Sequence, residues 1–272
     1  MRLVTRLDFD GLVCAVLLTE VGIIDDISFN HPYDIQHGEI EVTKDDVIAN
    51  LPYIQGCGLW FDHHSSEEKR LEQGTIFDFN GASYIAPSCA RVIFEYYGGA
   101  ARFPIIDQTG LIVSVDKSDS ANLTINEIKK PTGWILLAFI LDPRTGLDRY
   151  SDYRISSNKL TKDLIQYCRT MSAEEVLKIP DVQERIDRYF QQEKAYEEMI
   201  AANSTTIGNV IIINLLDVDE ILSGNRFIVY TMYPEQNISI RVIWGFQKQN
   251  IVFTCGKSTI NKTSTLDIGS LM

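Results

Sequence analysis

The segment that most constrains the fold is Leu59-Trp60-Phe61-Asp62-His63-His64, in which a short apolar run ends abruptly in a carboxylate and two imidazoles. A strand buried on both faces reads as a continuous apolar run, and a parallel sheet presents its polar chemistry beyond the carboxyl ends of such strands. The whole chain holds only 4 histidines (His31, His37, His63 and His64), so an adjacent pair behind an aspartate is selective. A surface turn with an incidental histidine pair is the competing reading. It weakens because a second acidic turn follows the first strand.

That second turn is Asp8-Phe9-Asp10-Gly11, between a short apolar strand at 2–7 and an apolar helix at 11–21. One aspartate at a helix start is explained by capping and by the helix dipole; two are less easily so explained. Paired carboxylates beside Asp62-His63-His64 supply hard oxygen and imidazole ligands that suit a divalent ion such as manganese, magnesium or zinc.

The pattern around these turns alternates short strands and helices. Candidate strands lie at 2–7, 26–29, 57–61 and 75–77, and candidate helices at 11–21, 88–97, 107–115 and 133–141. Alternation of this kind predicts an α/β domain with a parallel sheet flanked by helices. Beyond Tyr150 the periodicity becomes helical at 154–170, 173–178 and 181–203, the last with a stripe of Val182, Ile186, Tyr189, Phe190, Tyr196, Met199 and Ile200 that reads as core packing. From Thr205 the chain is richer in β-branched residues, with candidate strands at 210–215, 226–232, 238–244 and 251–255. The expected organisation is therefore an α/β domain over 1–150, a helical connector over 151–203 and a smaller α+β domain over 204–272.

Further site candidates follow from the same logic. Ser88 is placed to cap a helix whose first turn holds Arg91, and free amides there with a cation suit a phosphate; a surface ion pair is the competing reading for Arg91. Asp116 directly follows the apolar run 110–115 and ranks above Asp119 as a further ligand. His31 after the second strand is a candidate for the edge of the site, with a solvated loop histidine as the preferred reading.

Charge narrows the ligand. At a net −12 the chain is a poor coat for duplex nucleic acid. From Ile221 onward, however, 5 basic residues (Arg226, Arg241, Lys248, Lys257, Lys262) face 2 acidic ones (Glu235, Asp267). A basic patch beside an acidic, metal-loaded site suits a small polyanion. The 5 cysteines include no C-x-x-C pair and read as buried side chains in a reducing compartment. With no apolar span or cleavable leader, the expected location is the cytoplasm and no membrane contact is expected.

Asp8-x-Asp10-Gly11, Asp62-His63-His64 and Asp116 in Val115-Asp116-Lys117-Ser118-Asp119-Ser120, followed by a helical connector and a smaller sheet domain, together resemble the DHH phosphoesterase superfamily. Within it the chain looks most like the exopolyphosphatase-like and oligoribonuclease-like branch. The resemblance implies a manganese-dependent hydrolase of phosphodiester or phosphoanhydride bonds, holding one or two ions, with substrate between its domains. Asp8, Asp10, His63 and Asp116 would be metal ligands, Asp62 and His64 catalytic, and Arg6, Ser88 and Arg91 phosphate-binding. The partner would be a small phosphorylated substrate or a short single-stranded oligonucleotide, and a homodimer is compatible with it.

The chain departs from that pattern in three places. Arg6 stands where relatives carry a histidine. Asn50 stands where they carry a bridging aspartate, with Asp45 and Asp46 as alternatives for that position. The glycine-rich, phosphate-gripping stretch of relatives would begin at about residues 266–272, so the second domain is expected to be incomplete or to lack that grip. The alternative function is a catalytically weak nucleotide- or phosphate-binding protein that has lost one metal position.

Overall fold

The structure, a computed structural model, describes residues 1–31, 33, 38, 40–76 and 78–268. Contacts divide the chain into two units. The first comprises Met1–Asn122, Thr132–Pro143 and Asp148–Glu184, and the second Leu123–Pro131, Arg144–Leu147 and Arg185–Met272. The division is therefore discontinuous in sequence, since two short segments before Tyr150 join the second unit.

The first unit is built on a parallel sheet of five strands: β1 (Arg2–Thr5), β2 (Asp26–Phe29), β3 (Asp46–Ala49), β4 (Leu59–Asp62) and β5 (Gly81–Ser83), in the order β2-β1-β3-β4-β5. Helix α1 (Phe9–Val21) is buried along residues 9–18 because it is apolar on all sides. It packs against α2 (Cys89–Tyr96), α3 (Leu111–Asp119) and α4 (Ser157–Thr170). Val4, Ile48, Leu51, Trp60 and Ile76 form a core cluster, edged by Tyr53 and Phe79. Trp60 donates its indole N–H to the Leu51 carbonyl at 3.0 Å, so its polar edge is satisfied inside the cluster.

Two glycines fix the tight geometry near the carboxyl edge. A Cβ on Gly11 would lie 2.1 Å from the Arg6 carbonyl oxygen, so only glycine lets α1 start so close behind β1. A Cβ on Gly81, at φ +115°, would lie equally close to the Trp60 carbonyl oxygen. It opens β5, which replaces the strand expected at 75–77: Thr75 and Ile76 are not in a strand, and Phe77 lies outside the described residues. A strand reading Gly-Ala-Ser lacks the β-branched signal that sequence reasoning looks for. β3 likewise carries too short an apolar run, Asp-Val-Ile-Ala, to stand out in the sequence.

The second unit carries a mixed sheet of β6 (Ser204–Ile207), β7 (Val210–Asn214), β8 (Ile238–Trp244) and β9 (Ile251–Lys257), in that order, with β7 and β8 parallel and both outer pairs antiparallel. The strand expected at 226–232 is instead a short helix, Ile228–Met232. Its β-branched run favours a strand locally, but Asn225 accepts the Phe227 amide at 2.9 Å and starts a turn, and Ile228, Val229 and Tyr230 are buried. The long helix Pro180–Ala202 begins in the first unit and continues in the second. Among the described residues, no helix is long and apolar enough to cross a membrane.

Candidate metal and phosphate site

Strand order 2-1-3-4-5 reverses direction between β1 and β3, and crevices of doubly wound sheets open at the carboxyl ends of such neighbours. The turns leaving β1, β3 and β4 deliver Arg6, Asp8 and Asp10, then Asn50, then Asp62, His63 and His64.

The two aspartates of the first turn have different tasks. Asp8 caps α1: its Oδ1 accepts the Gly11 amide at 2.9 Å and the Asn50 Nδ2 at 3.2 Å, while Arg6 Nε lies 3.2 Å from Oδ2. Asp10 is buried and accepts the Cys89 and Ala90 amides, both at 2.9 Å, at the start of α2. The anion held by this helix start is thus the protein's own carboxylate. Burial, followed by the charge of Asp8, pushes the Asp10 pKa up to about 7 against the pull of those two amides.

His63 faces Asp10. Its Nδ1 lies 3.1 Å from the Ala86 carbonyl oxygen, which can only accept, so Nδ1 carries the proton. Nε2 lies 3.3 Å from Asp119 Oδ2 and 3.8 Å from Asp10 Oδ2, on a side chain 9 % exposed, and has no hydrogen-bond partner among the described residues. One ligand atom each from Asp10, His63 and Asp119 lie within 4.8 Å of one another, the one such group of three among the described residues. Burial, and then the charge of Asp10, also raises the Asp119 pKa. A buried imidazole nitrogen facing two crowded carboxylates, its ring fixed by a carbonyl, is a donor set that can hold a divalent cation.

Two of the residues expected as ligands, Asp116 and Asp8, have other partners in the structure. Asp116 does not join Asp10 and His63; it accepts Arg91 Nε and Nη2 at 3.0 and 2.5 Å and the Ser88 hydroxyl at 2.7 Å. The reason is helical: residues 110–115 are not an element that ends at 116, because α3 runs on through Asp119 and turns that residue toward His63. Arg91 and Ser88, expected at a phosphate, are accordingly engaged by Asp116, and Ser88 also caps α2 by accepting the Arg91 amide at 3.0 Å. Asp8, expected as a ligand, is paired with Arg6. Of the alternatives to Asn50, Asp46 lies at the opening of β3 and pairs with Arg2 at 2.7 Å. Asn50 follows the strand's carboxyl end and meets Asp8; its φ of 57° is one that asparagine tolerates.

Asp62 is fully buried and holds His64 Nδ1 at 2.8 Å. Burial alone would lower the His64 pKa, but the hydrogen bond and charge of Asp62 outweigh it, and the net shift is upward.

In the second unit Arg144, Arg226 and Arg241 line one cavity of ≈ 350 Å³ with Tyr230 and Ser239. Arg241 donates to the Tyr196 hydroxyl at 2.8 Å, and the Arg226 guanidinium lies 3.9 Å from the Phe227 ring centre. Sequence reasoning singled out Arg226 and Arg241 in the basic tail and missed Arg144, which lies in an isolated turn far from them in the chain.

No protein-family model and no curated protein matches the chain. Among solved structures, the pGpG-specific phosphodiesterase PggH from Vibrio cholerae superposes with a TM-score of 0.82 at 44% identity, over 100% of this chain and 87% of that one. An uncharacterized protein from Helicobacter pylori G27 matches at 12% identity and a TM-score of 0.34 over 94% and 85% of the two chains, too little to carry an argument. The first similarity agrees with a phosphodiesterase of the superfamily resembled in sequence and gives its exopolyphosphatase branch no support. At that identity and coverage, the chain belongs to the family of the pGpG-specific phosphodiesterase.

Proposed function

We propose that this protein hydrolyses the internal phosphodiester of pGpG, or of a closely similar short oligonucleotide, with a divalent ion, most suitably manganese, held by Asp10, His63 and Asp119. The carrying observation is the buried, unpartnered Nε2 of His63 facing two carboxylates. A divalent ion there would lower the pKa of a bound water and neutralise phosphate oxygens.

The protein's own groups account for the remainder. Asp62 orients His64, keeps its Nδ1 engaged, and favours the protonated ring, so that Nε2 can donate a proton to the leaving oxygen. Water forms the new bond to phosphorus, the bridging P–O bond breaks, the leaving oxygen takes the His64 proton, and the proton of water passes to solvent. Arg6, which retains guanidinium N–H donors beyond the Nε that faces Asp8, is suited to a non-bridging phosphate oxygen. The cavity of the second unit lined by Arg144, Arg226 and Arg241 is a further feature suited to a polyanionic ligand.

The test is incubation with pGpG in manganese, magnesium or zinc, with chromatography of the products. Conversion to mononucleotide that a chelator stops is expected, with pyrophosphate and polyphosphate left intact. Absence of cleavage with all three metals would overturn the proposal. A second reading, binding of the dinucleotide without turnover, is favoured by the Arg6–Asp8 pair, and it predicts saturable pGpG binding with no product.

A further inference from the structure

The charge pattern around His63 specifies how many ions the centre takes. Five aspartates lie on the turns and helices that carry the site. Asp8 is met by Arg6 at 3.2 Å, Asp116 by Arg91 at 2.5 Å and Asp62 by His64 at 2.8 Å. Asp10 and Asp119 are left facing the His63 Nε2. A proton on that nitrogen would bring one positive charge to two carboxylates; one divalent ion matches both and also uses the nitrogen lone pair.

The neighbouring position is closed to a second ion. Asp8 Oδ1 already accepts two N–H donors, from Gly11 and Asn50, so both of its in-plane lone pairs are occupied, and Oδ2 faces a guanidinium. Asn50 turns its NH₂ to Asp8, which leaves Oδ1 buried without a hydrogen-bond partner among the described residues and brings no negative charge. In Asp10, by contrast, Oδ1 accepts the Ala90 amide and the Cys14 thiol, while Oδ2, the oxygen that faces His63, accepts only the Cys89 amide and keeps a lone pair.

We propose that the site is a one-ion centre on Asp10, His63 and Asp119, in which the Arg6 guanidinium beside Asp8 stands as the second cation and contacts the substrate phosphate. This rests on the metal-dependent reading above and deepens it. An arginine can clamp phosphate oxygens but cannot activate a water, so Arg6 acts on substrate binding and transition-state charge, not on the nucleophile.

Stoichiometry provides the test without recourse to activity. Metal-free protein is titrated with manganese, following heat and, in parallel, the paramagnetic resonance of free Mn²⁺. One ion per chain is expected for the wild type, none for His63→Ala, and two for Arg6→His combined with Asn50→Asp. Arg6→Ala should still bind one ion while KM for pGpG rises about tenfold, the scale of one charge-assisted contact. Two ions in the wild type would overturn the one-ion centre and leave metal-dependent hydrolysis standing, whereas no binding at all would sink both. If the double variant stays at one ion, or Arg6→Ala leaves KM and kcat unchanged, Arg6 does not hold the second cationic position. Circular dichroism of each variant, with Arg6→Lys as a charge-preserving control, separates these results from misfolding.

Discussion

The Ala86 carbonyl oxygen lies 3.1 Å from His63 Nδ1, and this contact decides what the other ring nitrogen can do. A carbonyl cannot donate, so Nδ1 keeps its proton and Nε2 is the ring nitrogen left to face Asp10 and Asp119 and available to a metal. His63→Gln should therefore lose metal affinity by at least 10-fold to 100-fold, the scale on which a metal site responds to disturbance of its supporting contacts. Calorimetric titration with manganese checks this. Unchanged affinity would remove His63 from the ligand set.

Asp116 and Asp119 are separated by one helical turn and by function. Asp116→Asn should leave manganese stoichiometry unchanged but lower stability by about 1–3 kcal/mol, because it strips a charged acceptor from the half-buried Arg91 and from Ser88. Asp119→Asn should do the reverse, with little change in the unfolding midpoint and a clear loss of metal. Urea melts and metal analysis of the two variants decide between them. The opposite pattern would make Asp116 the ligand.

What the sequence disclosed and what it hid follow from the distance over which each signal acts. The apolar run ending in Asp62-His63-His64 and the Asp-x-Asp-Gly turn are local, and both lie at the carboxyl edge of the parallel sheet, as periodicity predicts. The choice between Asp116 and Asp119 depends on where α3 ends, and the sequence gives no strong stop there, since Lys117-Ser118-Asp119 continues a helix as readily as it leaves one. The partners of Asp8 depend on the chain reversal that brings Asn50 to it from 42 residues away. β5 was hidden for the opposite reason: its Gly-Ala-Ser sequence is chosen by the closeness of Trp60 and not by strand propensity.

Metal-free protein should become less stable as pH rises from about 4 to 7. In the folded state Asp10 titrates at about 7, while unfolded it would do so at the ordinary value of 3.8. Across that window the folded chain holds a proton that the unfolded chain has released, so the stabilisation present below the unfolded value is lost as pH passes through the folded one. The upper bound is about 4 kcal/mol, from roughly 1.4 kcal/mol per pH unit. Manganese competes for the same carboxylate, so its stabilising effect should be larger at pH 8 than at pH 5. Thermal melts at both values, with and without the ion, measure this; a metal-induced shift that is equal at the two would contradict the assignment of Asp10.

The pair formed by Asp62 and His64 makes the sharpest chemical prediction. If His64 supplies the proton to the leaving oxygen, His64→Ala should slow pGpG cleavage by about 10²–10⁴-fold. The same variant should be far less impaired on bis(4-nitrophenyl) phosphate, whose leaving group departs without protonation. The pH profile adds a signed test. The acid form of His64 is the active one, so the rate should fall as pH rises through its pKa, which Asp62 holds above the ordinary histidine value. Asp62→Asn removes that charge and should shift the falling limb to lower pH while metal stoichiometry stays the same. Equal losses on both substrates, with a limb that does not move, would show that His64 only holds the phosphate in place.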